Sequence, residues 1–556
     1  MSSPSPTPIR SALLLLVLVT LAAWAGAVVR GGFAFDDREA IEGNPVVEGA
    51  LPATEAFRRD YWHHVGDAGH YRPLAALALR LDRAAYGERA FGFHLTNALL
   101  HAAVVLLAGL ALARAPGGAA LLVGLLPFAA HPVLADSVAW ISGRTSMVSG
   151  LGGAGLLLVA ARARAQWAAA SLAGAALLFG LLGKEDAVVF LPPAVLLAWW
   201  RAPRLALAVA GGGAVAVATA LALRAQALGS ALPAAPHAPL AALGLADRLP
   251  FAGRALLELV RLLAWPFDGP PTYRAAPGFT PADPPGATAL LGWLPWLAAV
   301  GAGALALARR RPADAALPAV AAGFAALALL PVLQVIPAGE VFAPRFLYAP
   351  LLLAAPLFGR LLGFLPRAAL VALALACVAG AWHRAGVYGG RASYAREVLA
   401  HVPADAAAWN DLALAQEEEG RVADARATWL RATELHPRYS RPWSNLGRLA
   451  LARGELARAV ELFERAVAVG PGNPVAEVNL ASALLRSGDP SAAVPHYRRA
   501  TELAPGLGPA WRGLGQALLE AGRTDEARTA LERALALDPR DGDARRLRAR
   551  VDAASG

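Results

Sequence analysis

The chain of 556 residues has one cysteine, one lysine and two methionines, and only 17% of it is charged. A lone Cys377 can form neither an intrachain disulfide nor a thiolate metal site, and cysteine use says nothing of the compartment. The charged fraction falls well below the ~25% of an average soluble protein, so most of the chain is solvated by lipid. Residues 401–556 balance 21 Arg against 21 acidic residues, so the whole +10 belongs to the first 400. That excess sits in short connections between apolar runs and forms no basic stripe, which excludes a nucleic-acid surface. Apart from Lys184, every basic residue counted is Arg. The Arg- and Ala-rich composition points to a bacterial genome of high GC content.

Hydrophobic residues make up 57% of the chain. Apolar runs fall at 11–29, 94–113, 118–135, 145–161, 167–183, 187–200, 205–223, 288–308, 313–333, 345–363 and 368–383. Several are shorter than the ~20 residues of a full span. Alternation from a cytoplasmic N-terminus puts Arg10, Arg114, Arg162, Arg164, Arg201, Arg204, Arg309, Arg310, Arg311, Arg360 and Arg367 inside, against one acid, Asp314. This is the positive-inside pattern. The expectation is a polytopic membrane protein of about eleven spans, with 30–93, 224–287 and the C-terminal part outside the cytoplasm. Residues 251–267 carry Arg254, Glu258 and Arg261 at helical spacing and read as a helix along the interface. Residues 12–27 have a signal-peptide look, but the long run and the spans after it argue for an uncleaved first span.

Pro403, Pro437, Pro471, Pro505 and Pro539 stand 34 residues apart. Trp409, Trp443 and Trp511 open three of the four units between them, and Glu477 takes that slot in the third. Leu412, Leu446, Leu480 and Leu514 recur in register, as do Ala425, Ala459, Ala493 and Ala527. This is the tetratricopeptide pattern of helix pairs that bury their apolar faces on one another. Such an array offers a surface for peptides or partner proteins, or serves as a stalk.

Polar groups gather in the outer loops. The first holds the adjacent acids Asp36 and Asp37, then Arg72 in Tyr71-Arg72-Pro73-Leu74, then His94 and His101. The second holds His131, Asp136 and Arg144; the third reads Gly183-Lys184-Glu185-Asp186; the fifth ends with Arg345 and Tyr348. Taken singly, each has an ordinary explanation. Asp36-Asp37 suits a turn, Arg72 can pair with Asp82, Arg144 can snorkel, Lys184 and Glu185 can neutralise each other, and histidines are often satisfied in a core. Taken together they cost too much at a membrane face unless they converge on one another or on a charged ligand. Arg forks and a Lys point charge suit a lipid-borne phosphate, and a carboxylate suits a general base or a metal.

The segments Phe35-Asp36-Asp37, Asn44-Pro45, YRPL (71–74), FGFHLTNALLH (91–101), HPVLADSVAWISGR (131–144), GKEDAVVFLP (183–192) and PRFLYAP (344–350) resemble bacterial membrane proteins with tetratricopeptide repeats. These are similar to the animal transmembrane-and-tetratricopeptide O-mannosyltransferases, of the GT-C class. The resemblance implies an all-α fold: a GT-C-like transmembrane bundle over 1–384, a linker at 385–405, four repeats over 406–541, and a capping helix and tail at 542–556. It implies transfer of mannose or another hexose, with inversion, from a polyprenyl-phosphate donor to protein Ser/Thr hydroxyls. Asp36 and Asp37 would be the catalytic acids, with Asp36 as base. Arg72, Arg144, Lys184 and Arg345 would hold the donor phosphate, and His94, His131, Asp136, Glu185 and Tyr348 would support them. The repeats would bind acceptor proteins on the periplasmic side of the inner membrane. A divalent metal is left open, and no other cofactor is indicated. The family usually has Glu at the place of Asp136, and Glu-Arg-Tyr where this chain has Pro344-Arg345-Phe346, so an acid beside Arg345 is missing unless Glu340 replaces it. Two other readings stand beside this one: a membrane-anchored repeat scaffold, and an enzyme with a lipid or polysaccharide acceptor.

Overall fold

In lipid no water can satisfy a bare backbone amide, so apolar runs must close their hydrogen bonds internally. Each of the eleven runs is helical over most of its described residues. The computed structural model describes residues 6–34, 36–63, 69–115, 117–231, 240–273, 276, 279–281, 283–309, 312–330, 333 and 342–555. Among them regular structure is helical, with an isolated bridge between Thr280 and Asp283. The chain is all-α, as expected.

Among the described residues, six helices are long and apolar enough to cross a bilayer: Ile9–Arg30, Ala90–Leu112, Arg144–Arg162, Pro203–Leu228, Ala287–Ala308 and Arg367–Tyr388. Two further runs are bent pairs, Ala120–Ala130 with Pro132–Val138 at 50° and Pro344–Leu353 with Ala355–Leu362 at 70°. Pro132 and Pro356 open the second member of each pair, where a missing amide is tolerated and the preceding helix must stop. The remaining runs are short: Gln166–Leu181 has 16 residues, Ala313–Leu327 has 15 and Leu191–Arg201 has 11. At 1.5 Å per residue they reach only about 16–24 Å of a ~30 Å hydrocarbon core. Of the eleven expected spans, six among the described residues are unbroken helices of spanning length, or eight if each bent pair is one span. The chain is a multi-pass membrane protein. Helix Leu245–Ala264 forms where an interface helix was expected and is not among the spanning helices.

Small residues set how closely the membrane helices approach. A Cβ on Gly152 would lie 2.5 Å from the backbone of Gly180, so helices Arg144–Arg162 and Gln166–Leu181 meet backbone to backbone there.

The C-terminal helices follow the 34-residue period. Gly420, Gly454, Gly488 and Gly522 each turn the chain between the two helices of a unit, at φ 78°, 77°, 88° and 78°. These left-handed values favour glycine. The indoles of Trp409, Trp443 and Trp511 donate to the carbonyls of Pro403, Pro437 and Pro505, so the period is also a hydrogen-bond period. In the third unit Glu477 stands in the tryptophan slot and instead binds His496 at 2.7 Å. Helix Gly542–Ser555 follows the fourth unit and buries Ala544, Leu547 and Val551.

The chain forms two compact units. One comprises residues 1–37 and 71–402, the other 38–70 and 403–556. Residues 38–70, which by sequence belong to the first outer loop, are thus grouped with the repeats.

Candidate functional site

The short stretch from Asp136 to Ser149 receives polar groups from three other loops, which by sequence are the first, third and fifth outer ones. It begins in the one-turn helix Ala135–Val138 and runs through a tight turn into helix Arg144–Arg162. That turn is crowded: a Cβ on Gly143 would lie 2.4 Å from the Ser137 carbonyl oxygen. Asn97, on helix Ala90–Leu112, donates to the carbonyls of Val138 and Trp140, which pins the turn to the bundle.

Asp37 is fully buried and holds this turn from the first loop. One carboxylate oxygen accepts the backbone amide and the hydroxyl of Ser142, at 2.9 and 3.0 Å; the other accepts the Ala34 amide at 3.0 Å. Burial pushes the Asp37 carboxyl up to about 7, against the downward pull of these donors. Asp36, its neighbour, is only half-buried.

Arg345 reaches the same stretch from the fifth loop. Its backbone amide and guanidinium both bind Asp136, at 3.1 and 3.2 Å, and the guanidinium lies over the rings of Trp140 and Phe346. Asp136 also accepts the Tyr388 hydroxyl at 3.2 Å. The acid that the sequence lacks beside Arg345 is therefore supplied in space by Asp136; Glu340 lies outside the described residues. Lys184 arrives from the third loop, donating to Ser146 at 3.3 Å and pairing with Asp186 at 2.8 Å. Asp186 in turn accepts from Ser149 at 2.6 Å.

Arg144 is placed differently. It is 1% exposed, pairs with Asp82 at 2.6 Å, and also donates to Asn97 and the Phe93 carbonyl. A guanidinium so enclosed is committed to protein partners. Asp82 is the acid that was an ordinary partner for Arg72 by sequence. Its position along helix Pro73–Tyr86 brings it to Arg144, and burial raises its carboxyl while Arg144 lowers it. Arg72, at the start of that helix, lies 3.7 Å from Glu185. Lys184 and Glu185 do not neutralise each other, since Asp186 takes the lysine.

The histidines are bound within the bundle. His94 contacts the Gly32 carbonyl, His101 contacts Tyr348 and the Phe128 carbonyl, and His131 contacts the Leu263 carbonyl. Tyr348 is buried on His101 and Phe128. His94, His131 and Tyr348 thus support the turn or the bundle. Among the described residues no three His, Cys, Asp or Glu side chains come together as a metal would need.

The arrangement thus offers a half-buried acid beside a gripped one. Three cations of decreasing exposure lie in the surrounding loops: Arg345 at 21%, Arg72 at 17% and Lys184 at 11%. Each has a carboxylate within 4 Å, so an incoming anion must compete with an acid already in place. Sequence reasoning gave no role to Ser142, Ser146 and Asn97, which tie the loops together. Their only sequence signal is that polar residues line an otherwise apolar stretch. An apolar cavity of about 90 Å³, lined by Leu112, Leu157, Trp200, Val320 and Pro356 among others, lies elsewhere in this unit. The nearest lining residue on the same helix, Ala108, is 11 residues beyond Asn97, which separates cavity and turn by ~16 Å. Its walls suit hydrocarbon and offer a sugar or phosphate nothing.

Comparison with known proteins gives two kinds of likeness. Tetratricopeptide-repeat families match residues 484–551 and, in overlapping stretches, 390–440, 418–474 and 444–508. Among curated proteins, the chain is 36% identical over 126 residues to the protein O-mannosyl-transferase Tmtc1 of Drosophila melanogaster, 22% of this chain and 15% of that one. It is 40% identical over 127 residues to Tmtc2 of the same species, covering 21% and 13%, and 36% identical over 124 residues to human TMTC2, covering 21% and 15%. The chain thus spans well under a fifth of the length of these relatives. Of solved structures, the tetratricopeptide protein YrrB covers 29% of this chain and 83% of its own, at 22% identity and a TM-score of 0.26.

Proposed function

We propose that this protein is a membrane glycosyltransferase that moves a hexose, mannose by the likeness to the O-mannosyl-transferases, from a polyprenyl phosphate to Ser/Thr hydroxyls of exported proteins. The observation that carries the reading is the meeting of Asp37, Arg345 and Lys184, from three separate outer loops, on residues 136–146. A scaffold has no need to bring an acid and two cations to one turn at a membrane face.

In this reading the acceptor hydroxyl attacks the anomeric carbon and gives its proton to Asp36. The bond from that carbon to the phosphate oxygen breaks, and the lipid phosphate leaves with the electron pair. A single displacement inverts the anomeric centre. Asp36 is the base because it is the more open of the pair, whereas both oxygens of Asp37 already accept donors and hold the turn. Arg345, Lys184 and Arg72 stabilise the phosphate as its charge grows, each group contributing on the order of 3 kcal/mol. Arg144 keeps its place against Asp82 and acts through the position of the turn. The apolar cavity suits part of an isoprenoid chain. The cytoplasmic N-terminus, the inner membrane, the periplasmic site and acceptor binding by the repeats belong to this same proposal.

The test is intact-mass profiling of exported proteins with and without the gene. Hexose-sized losses at Ser/Thr sites, restored by the wild-type chain and not by Asp36→Asn, support the reading. Unchanged masses favour the scaffold, and a hexose lost from a lipid or polysaccharide changes the acceptor.

A further inference from the structure

Residues 38–70 are too short to build a core of their own. Among the described residues their regular structure amounts to single turns, Asp37–Ile41 and Ala53–Phe57. Yet Ala40, Ile41, Val46, Val47, Leu51 and Tyr61 are all buried. The compact unit that contains this segment otherwise consists of the repeats.

Two contacts and one electrostatic interaction show how the segment is held. Arg38 lies 3.9 Å from Glu418, at the end of the first helix of the first repeat. The next residue, Glu39, acts electrostatically on Arg441, near the start of the first helix of the second repeat. Farther along, the His63 carbonyl presses on Gly506, between the third and fourth repeats, where an added Cβ would come within 2.5 Å of the oxygen. Arg38, which also pairs with Glu42 at 3.2 Å, and Glu39 thus face opposite charges on successive repeats, a pattern that favours one register. The two ends of the segment reach opposite ends of the array. The Arg38–Glu418 pair is open to solvent and adds little energy. The charges choose the alignment of the segment on the repeats.

We propose that the resident ligand of the repeat array is residues 38–70 of the same chain, and that by gripping this segment the array positions the two acids immediately before it. Asp37 opens the helical turn that carries Arg38 and Glu39, so restraint on those two side chains is transmitted to Asp37 through one turn of backbone. Glu418, Arg441 and Gly506 are positioning residues. The catalytic consequence rests on the proposed transferase reading; the grip itself does not.

The test uses the full-length protein in detergent and two readouts. Gly506→Leu wedges the array from the segment. Glu418→Arg with Arg441→Glu reverses both charges, and adding Arg38→Glu with Glu39→Arg restores complementarity. Hydrogen exchange of amides in 38–63 should rise at least tenfold in the wedge and in the double reversal, and return toward wild type in the fourfold variant, while the repeat helices stay protected. With a short Ser/Thr peptide as acceptor, kcat should fall at least tenfold in the wedge and the double reversal, with donor KM unchanged, and recover in the fourfold variant. Unchanged exchange in both the wedge and the double reversal overturns the grip. A freed segment with full kcat overturns the positioning role. A wild-type protein inactive on every acceptor refutes the transferase reading instead, and exchange alone then decides the grip.

Discussion

Replacing each acid of the Asp36–Asp37 pair by asparagine should separate holding from chemistry. Asp37 accepts three donors, the Ala34 amide and both the amide and the hydroxyl of Ser142. Asparagine has one acceptor oxygen, so whichever way it turns, its amino group faces a donor. Losing a hydrogen bond to a charged group costs ~1.5–3 kcal/mol. Asparagine also escapes the cost of ionising a buried carboxyl, which offsets part of that loss. A net loss of about 1–2 kcal/mol is expected, a fall in Tm of roughly 2–6 °C. Asp36 is less buried than Asp37, so Asp36→Asn should cost less stability than Asp37→Asn. It should nevertheless lower transfer about 100- to 10,000-fold, the usual worth of a general base. Melting in detergent and turnover on a Ser/Thr peptide read the two effects separately. If Asp36→Asn keeps full turnover while Asp37→Asn loses it at unchanged Tm, the roles are reversed. If the double variant remains active, neither acid is the base.

Three further outcomes follow from the geometry. The folded chain keeps Asp37 protonated up to about 7, while an unfolded aspartate releases its proton near ~3.9. The stability Asp37 contributes is therefore complete below pH ~4, is lost as pH rises toward about 7, and then levels off; a flat difference in Tm between wild type and Asp37→Asn over that window would contradict this. Asp82→Ala strands the buried Arg144 and should cost about 3–5 kcal/mol, most of it recovered by pairing Asp82→Leu with Arg144→Met; equal melting of single and paired variants would argue against an uncompensated charge. Gly152→Leu forces a side chain between two backbones and should cost about 1–3 kcal/mol, seen as a lower Tm in detergent, and an unchanged Tm would mean that the helices separate freely.

Much of the fold is legible in one dimension because its causes are local. Apolar runs must be helical in lipid, and a 34-residue period of Trp, Leu, Ala and Pro must stack. The span count was less legible. Leu191–Arg201 and Ala313–Leu327 are apolar but shorter than a full span. In the candidate site, the acids and cations were visible as residue types at loop positions. Their pairing was not: Arg144 chose Asp82, Lys184 chose Asp186, and Arg345 chose Asp136 across 209 positions of chain. Sequence separation carries no information about which of several nearby charges a side chain will meet.

By itself the sequence determined that this chain is helical, enters the membrane many times and ends in repeats, since hydropathy and period act over a few turns at most. Tertiary structure decided that Asp37 is held and Asp36 more open, that Asp136 stands in for a missing neighbour of Arg345, and that residues 38–70 lie with the repeats. Each of those outcomes depends on burial and on distances between segments far apart in the chain. Desolvation and Coulomb forces respond to that geometry and not to order along the backbone.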